Sequence, residues 1–178
     1  MEKIDLICCF TGHRKVDPRH AYAVKEKLLS TIEILARNHK VTFRAGGAMG
    51  FDTLAALCVL EKREEHPDSI KLSLCLPCRN QTRGWDNESI EIYNYIKENA
   101  DEITVLNEEY TSTCMFERNR HMVDGSDVCI AYCADKTSTR GGTAYTVRYA
   151  ESKKVRIIDI IGLIEPQNLT RRSQNVRE

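Results

Sequence analysis

A single α/β domain of the Rossmann-like kind, three layers built on a mostly parallel sheet, is predicted by two observations. Short apolar runs alternate with stretches of helical period about six times along the chain, and the polar, glycine-bearing loops follow strands rather than precede them. In such a sheet those loops gather at the carboxyl edge, where ligands bind. A chain of 178 residues with 42% hydrophobic and 29% charged residues fits one globular domain with a core of its own, not a disordered or membrane protein. The domain is assigned to residues 1–164, and residues 165–178 read as a polar C-terminal tail.

Ile4 to Phe10 is a continuous apolar run, as expected of a strand buried on both faces, and it ends in Thr11-Gly12-His13-Arg14. His13 and Arg14 bring charge suited to a phosphate, although Arg14 also reads as a solvated loop cation. Val24, Leu28, Ile32 and Leu35 recur at helical spacing between Pro18 and Arg37, with Pro18 placed for a helix start.

Val41 to Ala56 organises the rest of the chain. Val41, Phe43 and Ala45 make a buried strand, Gly46, Gly47 and Gly50 make a turn that no side chain blocks, and a helix continues from Thr53 to about Glu65. Backbone N–H groups at such a helix start attract a phosphate or carboxylate. Glycines kept for packing alone give the same pattern. If the phosphate sits here, a valine at Gly47 fills its space and removes binding from a folded protein.

Ile70 to Leu76 is the third strand. The loop from Pro77 to Trp85 follows it and holds the only tryptophan; Gln81, Arg83 and Trp85 suit a wall that meets a base or sugar. A lone tryptophan more often anchors a loop onto the core. Asp86 and Asn87 suit the cap of a helix that reaches Glu98, and Ile103 to Leu106 is the fourth strand. Thr113 to Asp124 reads as a helix on which Arg118 and Arg120 cannot both face the pocket.

Val128 to Tyr132 is the fifth strand. The loop after it, Cys133 to Gly142, has the threonine, serine and glycine content of a phosphate cradle, with Thr143 as a hydroxyl donor. Tyr145, Val147 and Tyr149 alternate like a strand, whereas Ala144, Val147 and Ala150 keep helical spacing. The need for a crossover before the sixth strand, Val155 to Ile161, favours the helix.

The 26 basic residues cancel the 26 acidic ones, which argues against a protein whose main task is gripping a nucleic-acid backbone. The opening MEKIDLICCF has an early acid and a short apolar run, a first strand rather than a signal peptide, so the chain is placed in the cytoplasm and away from membranes. In that reducing setting the eight cysteines are most simply small buried hydrophobes. Cys75 and Cys78 have the spacing of a redox pair or half a zinc site, but no second CxxC or CxxH follows at finger spacing. The pattern calls for no metal and no cofactor.

Four loops taken together resemble the SLOG superfamily, the Rossmann-like group that joins the DNA-processing protein DprA to the LOG phosphoribohydrolases. The resemblance covers roughly residues 4–161. Phe10-Thr11-Gly12-His13-Arg14, Gly46-Gly47-Ala48-Met49-Gly50-Phe51-Asp52 and Gln81 with Trp85 look most like its YpsA-like stand-alone branch. The block Cys114-Met115 to Asn119-Arg120, then Met122-Val123-Asp124 and Ser126-Asp127, completes that pattern.

The LOG enzymes cleave the N-glycosidic bond of a nucleoside monophosphate. Their signature is a Gly-Gly-x-Gly-Thr loop followed by x-x-Glu, with an arginine on the preceding helix. Aligned on Gly142-Thr143, Thr146 takes the place of that glutamate, and Arg118 falls at the arginine. Glycosidic hydrolysis passes through a cationic sugar that a carboxylate stabilises or supplies with activated water, and a threonine does neither well. Glu151 and Asp52 are the stand-ins. DprA-like relatives bind single-stranded DNA and carry a Gly-x-Asp motif that Gly50-Phe51-Asp52 resembles; Asp52 then either meets a ribose hydroxyl or holds the glycine loop in shape.

These features together imply a binder, or a sensor, of a nucleotide or nucleotide-derived phosphosugar. Its phosphate sits between Gly46, Gly47 and Gly50 on one side and Gly141, Gly142 and Thr143 on the other. Arg14 and Arg118 neutralise it beside Thr11, Gly12 and His13, and Gln81 and Trp85 turn toward the base or sugar. The alternatives are a nucleoside 5'-monophosphate phosphoribohydrolase using Arg118 with Glu151 or Asp52, and a single-stranded nucleic-acid-binding module. Pairing of two copies through their helices is left open.

Overall fold

Strands and helices alternate along residues 3–164, the residues that the computed structural model describes. They are β1 (Ile4–Gly12), α1 (Ala21–Asn38), β2 (His39–Ala45), α2 (Phe51–Glu65), β3 (Ile70–Leu76), α3 (Asn87–Asn99), β4 (Glu102–Val105), α4 (Cys114–Val123), β5 (Val128–Tyr132), α5 (Gly142–Ser152), β6 (Arg156–Asp159) and α6 (Ile160–Ile164). The sheet order is β4-β3-β2-β1-β5-β6, and every pairing is parallel.

β1 therefore stands where the winding reverses. The chain steps outward through β2, β3 and β4, then crosses back to the other side of β1 for β5 and β6. Loops leaving β1 and β5 run in opposite directions, which opens a crevice beyond their carboxyl ends, the usual ligand position in open α/β sheets. α1, α2, α3 and α6 cover one face, and α4 and α5 cover the other.

Both faces of the sheet are packed with apolar side chains, which is why the central strands read as unbroken apolar runs. On the α1–α2 side Phe10 stacks on Phe43 with ring centroids 5.7 Å apart, and Phe51 stacks on Tyr132 at 5.6 Å. Under α4 and α5 lie Cys9, Cys75, Cys129, Met122, Val123 and Ala150. All eight cysteines are buried and free. Burial pushes both thiols of the CxxC up, that of Cys75 to about 11.

Strand pairing moves one boundary from the sequence expectation, and side-chain hydrogen bonds move two more. β1 continues through Thr11 and Gly12, which pair with Ala131 and Tyr132 of β5. α1 begins at Ala21, not at Pro18, because Asp17 turns the chain by accepting the Arg19 N–H at 2.9 Å. β6 ends at Asp159 instead of Ile161, since the Asp159 carboxylate accepts the Ile161 N–H at 3.1 Å and starts α6. The tail assigned to residues 165–178 lies outside the described residues. Among the described residues no helix is long and apolar enough to cross a membrane.

Candidate functional site

A cleft of about 390 Å³ opens over the end of β1, between the starts of α2 and α5 and the inner side of α4. β1 and its loop supply Phe10, Thr11, Gly12, His13 and Arg14; the first glycine loop and α2 supply Ala48 and Asp52. α4 supplies Met115, Phe116, Arg118, Asn119 and Met122, and the start of α5 supplies Gly141, Gly142 and Thr143. The topology thus gathers side chains that are more than a hundred residues apart in sequence.

The first glycine loop is closed by its own helix. Asp52, in the first turn of α2, accepts the Gly46 N–H at 3.1 and 3.0 Å and the Ala48 N–H at 2.9 Å, and Thr53 Oγ1 donates to the Ala48 carbonyl at 2.7 Å. A carboxylate aimed at backbone N–H groups near a helix start is the arrangement a bound phosphate would otherwise make. The loop also leans on the β1 loop: at Gly50, with φ +83°, an added Cβ would lie 2.3 Å from the Arg14 backbone. Gly47 faces the core, where a Cβ would meet Leu76 at 2.8 Å. The expectation for Gly47→Val is corrected accordingly, because a valine there strains the fold before it meets any ligand.

Arg118 is buried, as the helical phase requires, and Arg120 is exposed. Its Nη1 donates to the Gly46 carbonyl, and its Nε donates to Asn119 Oδ1 at 2.8 Å. Arg44 of β2 tethers the end of α4 by donating to the Met122 carbonyl at 3.3 Å and the Asp124 carbonyl at 2.8 Å. Burial pushes the Arg118 guanidinium below its usual pKa, opposed by the charge of Asp52. Burial likewise pushes the Asp52 carboxyl up, opposed first by Arg118 and then by the loop N–H groups. Each of these buried charges is thus the other's main electrostatic relief.

The second glycine loop is open. α5 starts at Gly142 with no side-chain cap and no acidic residue in its first turn, and nothing lies within 4 Å of a Cβ built on Gly141. His13 links this wall to β1, its Nε2 accepting the Ala134 N–H at 3.0 Å.

Gln81 and Trp85 do not line the cleft. With Asn80, Arg83 and Tyr110 they line a hollow of about 350 Å³ that shares Arg14 and Met115 with it. Trp85 packs against the core, edge-on to Tyr93 with centroids 5.7 Å apart. Gln81 Nε2 donates to the Gly46 carbonyl at 3.2 Å and the Gly47 carbonyl at 3.1 Å. Its Oε1 is buried and accepts no hydrogen bond from the described residues, a state that costs about 1–3 kcal/mol.

Glu151 is exposed near the far end of α5, about eight residues or roughly 12 Å along the helix from Thr143, and does not line the cleft. Thr146 Oγ1 donates back to the Gly142 carbonyl at 2.7 Å. Outside the cleft, Glu33, Glu65 and His66 place potential metal-ligand atoms within 4.8 Å of one another. Lys62 already supplies a cation there, 3.2 Å from Glu33 and 3.0 Å from Glu65. Sequence reasoning missed Asn119, whose signal was its place directly after Arg118, and Tyr110, which no local pattern marks.

A parallel sheet with its cleft at the reversal of winding, walled by two glycine loops, places the chain in the Rossmann-like class of α/β folds. Within it, the chain belongs to the YspA SLOG family, whose model matches residues 8–168. The SPbeta prophage-derived protein YoqJ of Bacillus subtilis (strain 168) is 31% identical over 136 residues, 68% of this chain and 79% of its own. A UPF0398 protein of Bacillus thuringiensis (strain Al Hakam) is 29% identical over 109 residues, 60% of this chain and 58% of its own. DNA processing protein A from Helicobacter pylori, described for its single-stranded DNA binding mode, superposes with a TM-score of 0.61 at 21% identity. That match covers 86% of this chain and 64% of the Helicobacter chain, and at such identity it concerns the fold alone.

Proposed function

We propose that the cleft binds the phosphosugar part of a nucleotide or nucleotide-derived ligand, with the phosphate at the start of α5, and releases the ligand unchanged. The observation that carries this reading is the uncapped start of α5 at Gly141, Gly142 and Thr143, open to the cleft. Unpaired N–H groups and the helix dipole favour an anion there. Arg14, exposed at the rim, adds a cation, and Thr143 adds a hydroxyl. Arg118 holds the opposite wall and contributes its charge through the field of the cleft.

Hydrolysis is less well supported. Asp52 is the carboxylate that lines the cleft, and its oxygens are spent on the Gly46 and Ala48 N–H groups. A glycosidase needs a carboxylate free to act on the sugar or on a water. Single-stranded nucleic acid is the second reading, favoured by the likeness of fold to the Helicobacter protein. It predicts an affinity that falls steeply with salt.

Thermal unfolding with ribose 5-phosphate, AMP or a short single-stranded oligonucleotide, followed by chromatography for free base, separates the three. Ribose 5-phosphate and AMP are expected to stabilise the protein, by about 2.7 kcal/mol at a hundredfold excess over Kd, with AMP recovered intact. Free base appearing from AMP, or stabilisation by the oligonucleotide alone, would overturn the reading.

A further inference from the structure

We infer that the hollow beside the cleft is a base-binding compartment, so that the ligand is a nucleotide whose base is joined to the cleft-bound phosphosugar through a phosphate link crossing Arg14. This rests on the reading of the cleft as a phosphosugar site and goes on to name the class of ligand.

The chemistry of the hollow is that of a base site. Trp85 and Tyr110 offer aromatic surface, Asn80 offers a carboxamide, and Arg83 and Arg14 offer guanidiniums, with no carboxylate among the lining residues. A planar heteroaromatic ring with donors and acceptors on its edge matches that set, since every base has a π-face to stack and an edge to pair. The walls are already in place. Trp85 is pinned edge-on by Tyr93, and Asn80 Oδ1 accepts the Tyr110 N–H at 3.1 Å, which ties the loop after β3 to the loop after β4.

Gln81 ties the hollow to the first glycine loop. It is 7% exposed, and its Nε2 is committed to the Gly46 and Gly47 carbonyls, which fixes the orientation of the amide. Oε1 is left as an acceptor without a partner among the described residues. That atom is buried beside Gly47, so Gln81 shapes the floor of the hollow rather than meeting the base itself.

Arg14 and Met115 line both cavities, so a ligand that fills both passes over the Arg14 guanidinium. A planar guanidinium favours a phosphate at that crossing. A free phosphosugar fills the cleft alone and leaves the hollow empty.

Trp85 is the only tryptophan, so its emission reports the hollow and not the cleft. The probes are ribose 5-phosphate and ADP-ribose, each followed by thermal unfolding and by tryptophan fluorescence. Both are expected to stabilise the protein, ADP-ribose with at least tenfold higher affinity, and ADP-ribose alone should change the emission. Tyr110→Ala should weaken ADP-ribose about tenfold and leave ribose 5-phosphate unchanged. Equal affinities with unchanged emission would overturn the base compartment while the phosphosugar reading stands. Binding of neither probe would overturn both, and an emission change with a single-stranded oligonucleotide but not with ADP-ribose would give the hollow to nucleic acid.

Discussion

The two glycine loops look alike in sequence and differ in the fold. The loop at Gly46 to Gly50 meets a helix whose first turn carries Asp52, and that carboxylate turns back onto the loop N–H groups. The loop at Gly141 and Gly142 meets a helix with no acid in its first turn; neither helix start has a side-chain cap, so the acid is the difference. One helix start has an internal anion, and the other faces an open cleft. A glycine loop before a helix is therefore an anion site only if no side chain of its own has already answered it.

The largest test of that difference is Asp52→Ala. If the first loop is structural, the substitution frees the Gly46 and Ala48 N–H groups and deprives buried Arg118 of its main electrostatic relief. Removing one partner from a buried charge pair costs about 3–5 kcal/mol. Urea denaturation should show a loss of that order. A protein that keeps its stability but loses ribose 5-phosphate binding would reverse the assignment of the two loops.

Much of the fold was legible because buried parallel strands are unbroken apolar runs and because Leu28, Ile32 and their partners keep helical spacing. Two of the boundaries that moved, at Asp17 and Asp159, are those where a carboxylate takes a backbone N–H, a choice that periodicity does not record, and the third moved because Thr11 and Gly12 pair with β5. In the cleft, helical phase showed that Arg118 and Arg120 could not both face inward, the arginine position of the LOG signature pointed to Arg118, and Arg118 is the buried one. The inward turn of Asp52 was not legible, since the Gly-x-Asp spacing is the same whether the carboxylate faces a ligand or its own loop. Nor was the separation of Trp85 and Gln81 from the cleft, which depends on Tyr110 and Met115 arriving from beyond β4.

A smaller effect, of opposite sign in two measurements, is expected at the second loop. Thr143→Asp places an acid in the first turn of α5, which now has none. A negative charge at a helix start stabilises by about 0.3–1 kcal/mol, so at roughly 2–4 °C per kcal/mol for a domain of this size the melting temperature should rise by about 1–4 °C. The same charge repels a phosphate, and ribose 5-phosphate affinity should fall at least tenfold. The variant would in effect turn the second loop into a copy of the first. Unchanged binding in a stabilised protein would place the phosphate elsewhere.

The smallest effect is a pH dependence that belongs to the first loop alone. Burial, the largest influence on Asp52, raises its carboxyl above the ordinary value of 3.8. Between that value and the raised one the folded protein binds more protons than the unfolded chain, so the contribution of Asp52 to stability is greatest at low pH and falls as pH rises. Asparagine does not titrate, and the margin of the parent over Asp52→Asn, read from urea midpoints, should shrink as pH increases from 3.8 through the folded value. A margin that instead grows with pH would mean that Arg118 and the loop N–H groups outweigh burial. The first loop would then hold a firmly ionised carboxylate, and its contrast with the open start of α5 would be one of charge as well as of geometry.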